Sequence, residues 1–86
     1  MLSVKYENQA SKFLKKLGVK VDIKRIVTKI EELSENPFPQ DIVRVEGYQD
    51  IKVFRVRVGN YRVLYFFDYD HSKLFVLKID KRENVY

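Results

Sequence analysis

The chain contains no cysteine and no tryptophan, three glycines, two prolines and a single histidine. Without cysteine there can be no disulfide framework and no thiolate metal site, which suits a reducing compartment; the expected location is the cytoplasm. His71 has no second His, no Cys and no carboxylate pair at ligand spacing around it, so neither a metal site nor a cofactor is expected. Long apolar runs are missing too. No stretch approaches the roughly 18 uninterrupted apolar residues of a spanning helix, and Met1 to Glu7 lacks the apolar core of a signal peptide. A soluble, unprocessed protein with no membrane partner is therefore expected. There is also no Gly-rich phosphate loop, no cysteine nucleophile and no defensible Ser-His-Asp order. Any chemistry must use Arg, Lys and Tyr.

What is present is a core and an excess of positive charge. Residues 1–86 are too few to split into domains, and a 45% hydrophobic fraction is enough for one core despite 34% charged residues, so a single domain is expected. The net charge of +5 and pI near 9.5 favour an acidic partner such as RNA, DNA or an acidic polypeptide. That bias becomes informative only if the cations are gathered in one place.

Hydrophobic periodicity predicts an α+β fold: a strand, two antiparallel helices, then a mainly antiparallel sheet of about four further strands. Leu2, Val4 and Tyr6 alternate with polar residues, as in a short strand. Ala10, Phe13, Leu14 and Leu17 follow helical spacing, with Gly18 placed to cap the C-terminus. Asp22 is a plausible N-cap for a second helix that sets Ile23, Ile26, Val27, Ile30 and Leu33 on one stripe. Its basic residues come early and Glu31, Glu32 and Glu35 late, against the helix dipole. Asn36-Pro37-Phe38-Pro39 stops it. Strands follow at Ile42 to Val45, Val53 to Val58, Tyr61 to Phe67 and Leu74 to Ile79. Gly59-Asn60 forms a two-residue hairpin, and Asp68 to Ser72 forms a second loop.

A two-residue loop at Gly59-Asn60 pairs Val58 with Tyr61, Arg57 with Arg62, Val56 with Val63 and Arg55 with Leu64. Side chains alternate along each strand, so Phe54, Val56, Val58, Val63 and Tyr65 share one face, and Arg55, Arg57 and Arg62 share the other. From Ile51 to Phe67 the cations Lys52, Arg55, Arg57 and Arg62 have no acid among them. Like charges opposite one another across a ladder are destabilising. The Arg57/Arg62 pair therefore suggests an external anion between them; the bland alternative is a solvated strand face. The closing Lys81-Arg82-Glu83-Asn84-Val85-Tyr86 adds two cations and an aromatic, or is simply a loose end. Whether Arg82 shares the arginine face depends on the register of the second hairpin, which the loop composition leaves open.

This order of elements, with Phe54-Arg55-Val56-Arg57-Val58-Gly59-Asn60-Tyr61-Arg62-Val63-Leu64-Tyr65 at its centre, resembles the RelE/ParE superfamily of toxins over almost the whole chain. The most specific parts are Gly-x-Tyr-Arg-x-x-Tyr at Gly59 to Tyr65 and Lys81-Arg82-Glu83 with Tyr86; Gly47 also fits. In the RelE branch the resemblance implies a toxin of a type II toxin-antitoxin pair. Such a toxin is a ribosome-dependent endoribonuclease, free of metal and cofactor, that cuts messenger RNA in the A site through attack of a ribose 2′-hydroxyl on the adjacent phosphate. By position, Arg55 and Arg57 match two strand lysines that activate the nucleophile or hold phosphate. Arg62 matches an arginine that stabilises the transition state, Arg82 one assigned to leaving-group protonation, and Tyr86 an aromatic that orients a base. Lys52 and Lys81 are expected to add RNA contacts.

Two departures stand out. An arginine does not give up its proton in proteins, so Arg55 and Arg57 are poorer general bases than lysine and suit phosphate binding instead. The segment from Arg82 to Tyr86 is also shorter than in the RelE branch, and His71 lies too early to replace a histidine near the end of the last strand. The implied partners are messenger and ribosomal RNA on the ribosome, and an acidic antitoxin of RelB type. The competing readings are a ParE-like inhibitor of DNA gyrase and a non-catalytic basic RNA-binding domain.

Overall fold

A computed structural model of the chain describes residues 1–81. Gly59 has φ +58 and Asn60 does not enter the positive-φ region, so only the first central residue of the turn is left-handed. That is the type II′ pattern, which requires glycine at this place and matches the twist of the strands it joins. The turn connects β3 (Val53–Val58) to β4 (Tyr61–Asp68) in the register expected from the sequence, including Arg57 opposite Arg62.

The remaining elements are β1 (Ser3–Tyr6), α1 (Asn8–Leu17), α2 (Lys20–Glu35), β2 (Ile42–Val45) and β5 (Lys73–Lys81). They build one five-stranded sheet in the order β1-β5-β4-β3-β2. Its pairs are antiparallel except for β1 with β5, which run parallel. The α+β architecture and the strand count match the sequence expectation.

Both helices cover one face of the sheet. Ala10 of α1 and Ile26, Ile30 and Leu33 of α2 are buried against Val56, Val63, Tyr65, Leu74, Val76 and Ile79. Truncating Ile26 or Ile30 to alanine would cost about 2–5 kcal/mol. Gly18 ends α1 in the left-handed conformation, as expected. The start of α2 differs from expectation. It begins at Lys20, with Val19 as an N-cap that makes no side-chain hydrogen bond, and Asp22 lies in the first turn. The Asp22 carboxylate instead accepts a hydrogen bond from the Tyr61 hydroxyl at 2.7 Å, so a tertiary contact claims the side chain that local spacing assigned to capping.

The segment between α2 and β2 is held down by the core. The buried Tyr65 hydroxyl donates to the Pro37 carbonyl at 2.7 Å, and Phe38 meets Phe54 and Phe67 edge-on, at centroid distances of 5.5 and 4.9 Å. The second hairpin turns through Tyr69 to Ser72, because Asp68 pairs with Lys73. A bulge follows: Leu64 pairs with Lys78, whereas Tyr65 pairs with Val76, which leaves Leu77 as the extra residue. The bulge lets Leu74, Val76 and Ile79 all face the helices, and it brings Phe75, Lys78 and Asp80 to the other face. No helix among the described residues is long and apolar enough to cross a membrane.

Candidate functional site

The face opposite the helices is organised in rows across the strands. Asp80, Arg62 and Arg57 are successive cross-strand neighbours. The next row is Lys78, Leu64, Arg55 and Val43. Further along, Phe75 pairs with Phe66, and Lys5 of β1 lies beside Phe75. On the central strand β4 Arg62 is only 2% exposed, while Arg55 on β3 is half-buried and Arg57 exposed.

Asp41, Val43, Arg55, Arg57, Gly59 and Arg62 line a cleft of about 380 Å³. Guanidinium groups gathered this way suit a phosphate, which can take two parallel N–H donors from one arginine and charge from the others. The three arginines expected to share a face do so. Two acids also reach this surface: Asp41, just before β2, and Asp80 on β5. With Asp80 as the direct cross-strand neighbour of Arg62 and Asp41 at the edge of the cleft, the Arg57/Arg62 pair points to an external anion less strongly than the hairpin alone suggested.

Lys52 and Lys81 do not join the arginine cleft. Lys52 precedes β3, about 17 Å along the strand from Arg57 at roughly 3.3 Å per residue, and lines a separate cleft with Phe38, Asp50, Ile51, Phe54 and Phe66. Lys81 pairs with Tyr61, whose side chain belongs to the helix-facing core, and lies beside Phe13, Lys16 and Leu17. Arg82 and Tyr86 lie outside the described residues.

The hairpin that carries the arginines is fixed from behind by α2. The Tyr61–Asp22 hydrogen bond raises the Tyr61 pKa above its ordinary value, chiefly because the neutral phenol is the donor, with burial and the charge of Asp22 adding to the shift. Arg25 lies so close to the turn that a Cβ on Gly59 would meet its guanidinium nitrogens at 3.2 and 3.4 Å. Burial, and then the negative charge of Asp41, push the Tyr65 pKa strongly upward. Asp41 itself forms an ion pair with Lys29 at 3.4 Å.

Sequence reasoning missed Asp41, Val43 and Asp80 as neighbours of the arginines. Seven residues separate β2 from β3, so nothing local fixed their register, and the β5 bulge carried no sequence signal. Among the described residues no cluster of His, Cys, Asp and Glu could hold a metal ion.

Residues 4–86 match the family model for the ParE toxin of the type II toxin-antitoxin system parDE. The protein named RelE1 from Methanocaldococcus jannaschii is 37% identical over 68 residues, which span 76% of this chain and 73% of that protein. A chain of the archaeal RelE-RelB complex from Pyrococcus horikoshii OT3 superposes with a TM-score of 0.80 at 29% identity over 98% of both chains. One from the RelBE2 toxin-antitoxin complex of Mycobacterium tuberculosis gives 0.73 at 25% identity, covering 94% of this chain and 98% of that one.

Proposed function

The chain belongs to the RelE/ParE superfamily of type II toxins, and from that membership we propose that it is a ribosome-dependent endoribonuclease that cuts messenger RNA in the A site and so inhibits translation. The observation that carries this reading is the convergence of Arg55, Arg57 and Arg62 on one cleft. In the reaction the ribose 2′-oxygen bonds to phosphorus, the bond from phosphorus to the 5′-oxygen breaks, and a 2′,3′-cyclic phosphate and a 5′-hydroxyl result. Negative charge grows on the non-bridging oxygens in the transition state, where fixed guanidinium donors in a partly dehydrated cleft are most effective. Arg62, buried and central, is assigned that role, with Arg55 and Arg57 holding the scissile and adjacent phosphates.

The 2′-hydroxyl proton needs an acceptor, and arginine is a poor one. Asp41 is the carboxylate among the described residues lining the cleft, and it takes the proton. Leaving-group protonation falls to Arg82 and base orientation to Tyr86, the roles that the family resemblance implies for them.

An acidic antitoxin of RelB type restrains the toxin, by analogy with the RelE-RelB and RelBE2 complexes that this chain resembles. A groove of about 410 Å³ beside α2 suits such a chain: Val21, Thr28 and Val58 line it with Lys24, Arg25 and Lys29, three cations against the single acid Glu32.

Purified protein added to ribosomes programmed with a defined messenger, with 5′ ends mapped by primer extension and naked RNA as control, tests the reading. A-site cleavage is expected, lost in Arg62→Ala and strongly reduced in Asp41→Asn. An intact messenger would overturn the nuclease reading. It would favour the second one, inhibition of DNA gyrase, for which the ParE description of the matching family speaks; a supercoiling assay follows directly.

A further inference from the structure

The arginine cleft occupies only one end of its sheet face. Four residues along β4 from Arg62, about 13 Å at the usual strand rise, Phe66 lies directly opposite Phe75 of β5. Their rings stack with centroids 4.6 Å apart and planes 12° from parallel. Both rings are partly exposed, whereas Leu64, between Phe66 and Arg62 on the same face, is buried. No helix among the described residues packs on this side; the apolar side chains that serve the helices are Leu74, Val76 and Ile79 on the other.

On the sheet face itself the charged neighbours of the two rings are cationic. Lys5 is the cross-strand neighbour of Phe75, Lys78 stands in the next row beside Leu64, and Arg55 follows on β3. At its far side Phe66 borders a separate cleft of about 510 Å³ in which Asp50, Asp68 and Asp70 outnumber Lys52, so a strand lying over the rings is directed back toward the arginines and away from that end of the sheet. As a purely structural device, a cross-strand aromatic pair contributes about 0.2–1 kcal/mol, and aliphatic residues would serve as well. Partly exposed stacked rings with Lys5, Lys78 and Arg55 on the same sheet face, in line with a phosphate-binding cleft, suit single-stranded RNA: cations track the backbone, and aromatic faces hold bases of any sequence.

Resting on the RNA reading above, we propose that Phe66 and Phe75 form a stacking platform for a base of the bound strand, a short distance from the phosphate held by the arginines. The platform supplies grip without base identity, and it fixes which nucleotide lies next to the scissile bond.

The test uses a short single-stranded RNA made non-cleavable by a 2′-deoxy substitution at the scissile position, and a set of the same oligonucleotide with one abasic site moved along it. Binding is followed by fluorescence anisotropy for the wild-type protein, Phe66→Leu/Phe75→Leu, Phe66→Tyr/Phe75→Tyr and Arg62→Ala. At one position, loss of the base should weaken wild-type binding roughly 5- to 150-fold, the range of a base–aromatic stack. The leucine pair should lose similar affinity for intact RNA and become indifferent to that abasic site, while the tyrosine pair should behave as wild type. In a chain with no tryptophan, Phe66→Trp adds a sole indole whose emission should be quenched by intact RNA and not by the abasic strand; this reading holds even if the leucine pair folds poorly. An abasic penalty that persists in the leucine pair, or an unquenched indole in a complex that still depends on Arg62, overturns the platform alone. Absence of all RNA binding by the wild-type protein, on or off the ribosome, overturns the nuclease reading with it.

Discussion

Replacing Tyr65 with phenylalanine removes one oxygen and tests how the core holds the loop that frames the sheet. The Tyr65 side chain is fully buried and its hydroxyl donates to the Pro37 carbonyl at 2.7 Å. Pro37 is buried as well, so the substitution leaves an acceptor without this donor and should cost about 1–3 kcal/mol. In a domain of this size that corresponds to a fall in Tm of about 4–8 °C per kcal/mol. Urea unfolding should show a lower midpoint with an unchanged slope, since the buried surface is nearly the same. The alkaline limb gives a second reading. Burial and the Asp41 charge raise the folded-state pKa of Tyr65 above its ordinary value. Its contribution is therefore fully present below about pH 10 and declines as pH rises above that, where the unfolded chain releases the proton and the folded one retains it. The gap between wild type and Tyr65→Phe should narrow by up to about 1.4 kcal/mol by pH 11. A loss under about 0.3 kcal/mol at neutral pH, or a gap constant through pH 11, would refute the role given to this hydrogen bond.

Arg62→Ala should lower single-turnover cleavage on programmed ribosomes by about 10²–10³-fold, as removal of one fixed transition-state donor does elsewhere; a loss confined to KM would instead mark Arg62 as a binding group. Gly59→Ala places a Cβ at φ +58 and against the Arg25 guanidinium, and should destabilise by about 1–2 kcal/mol. Because the end of the Arg25 side chain can move, most of that loss should persist in an Arg25→Ala background, as denaturant titration of the double mutant would show. The Asp68 carboxyl is held below its ordinary pKa first by its hydrogen bond to His71, with Nδ1 and Oδ2 2.6 Å apart. In His71→Ala the Asp68 titration followed by NMR should move up toward the usual carboxylate range; an unchanged midpoint would mean that this exposed pair does not form in solution.

The site combines a rigid support with an acidic and basic balance. The Asp22–Tyr61 hydrogen bond ties the arginine hairpin to α2, the Arg25 side chain lies against the Gly59 turn, and the Lys29–Asp41 ion pair brings the same helix to the rim of the cleft. Changes to α2 therefore reach the arginines from the opposite face of the sheet. An antitoxin segment seated in the groove of Val21, Lys24, Arg25 and Val58 would contact the support of the site directly.

The sequence by itself determined the local parts of this protein. Period-two and helical spacing gave every strand and both helices, and Gly59-Asn60 alone fixed the pairing of β3 with β4, because a two-residue turn leaves one register open. The same turn puts Arg55, Arg57 and Arg62 on one face by alternation alone. Tertiary structure decided whatever depended on longer connections. Loop residues between β2 and β3 do not constrain which residues meet, so the arrival of Asp41 and Val43 beside the arginines could not be read locally. Asp22 was a fair N-cap by spacing, yet a tyrosine 39 positions away took its carboxylate. The bulge at Leu77 has no compositional mark, and it alone puts Lys78 and Asp80 on the same face as Phe75, the arginine face. A one-residue shift reverses every side chain beyond it, and only the packing of Leu74, Val76 and Ile79 against the helices, a property of the whole core, selects where that shift falls.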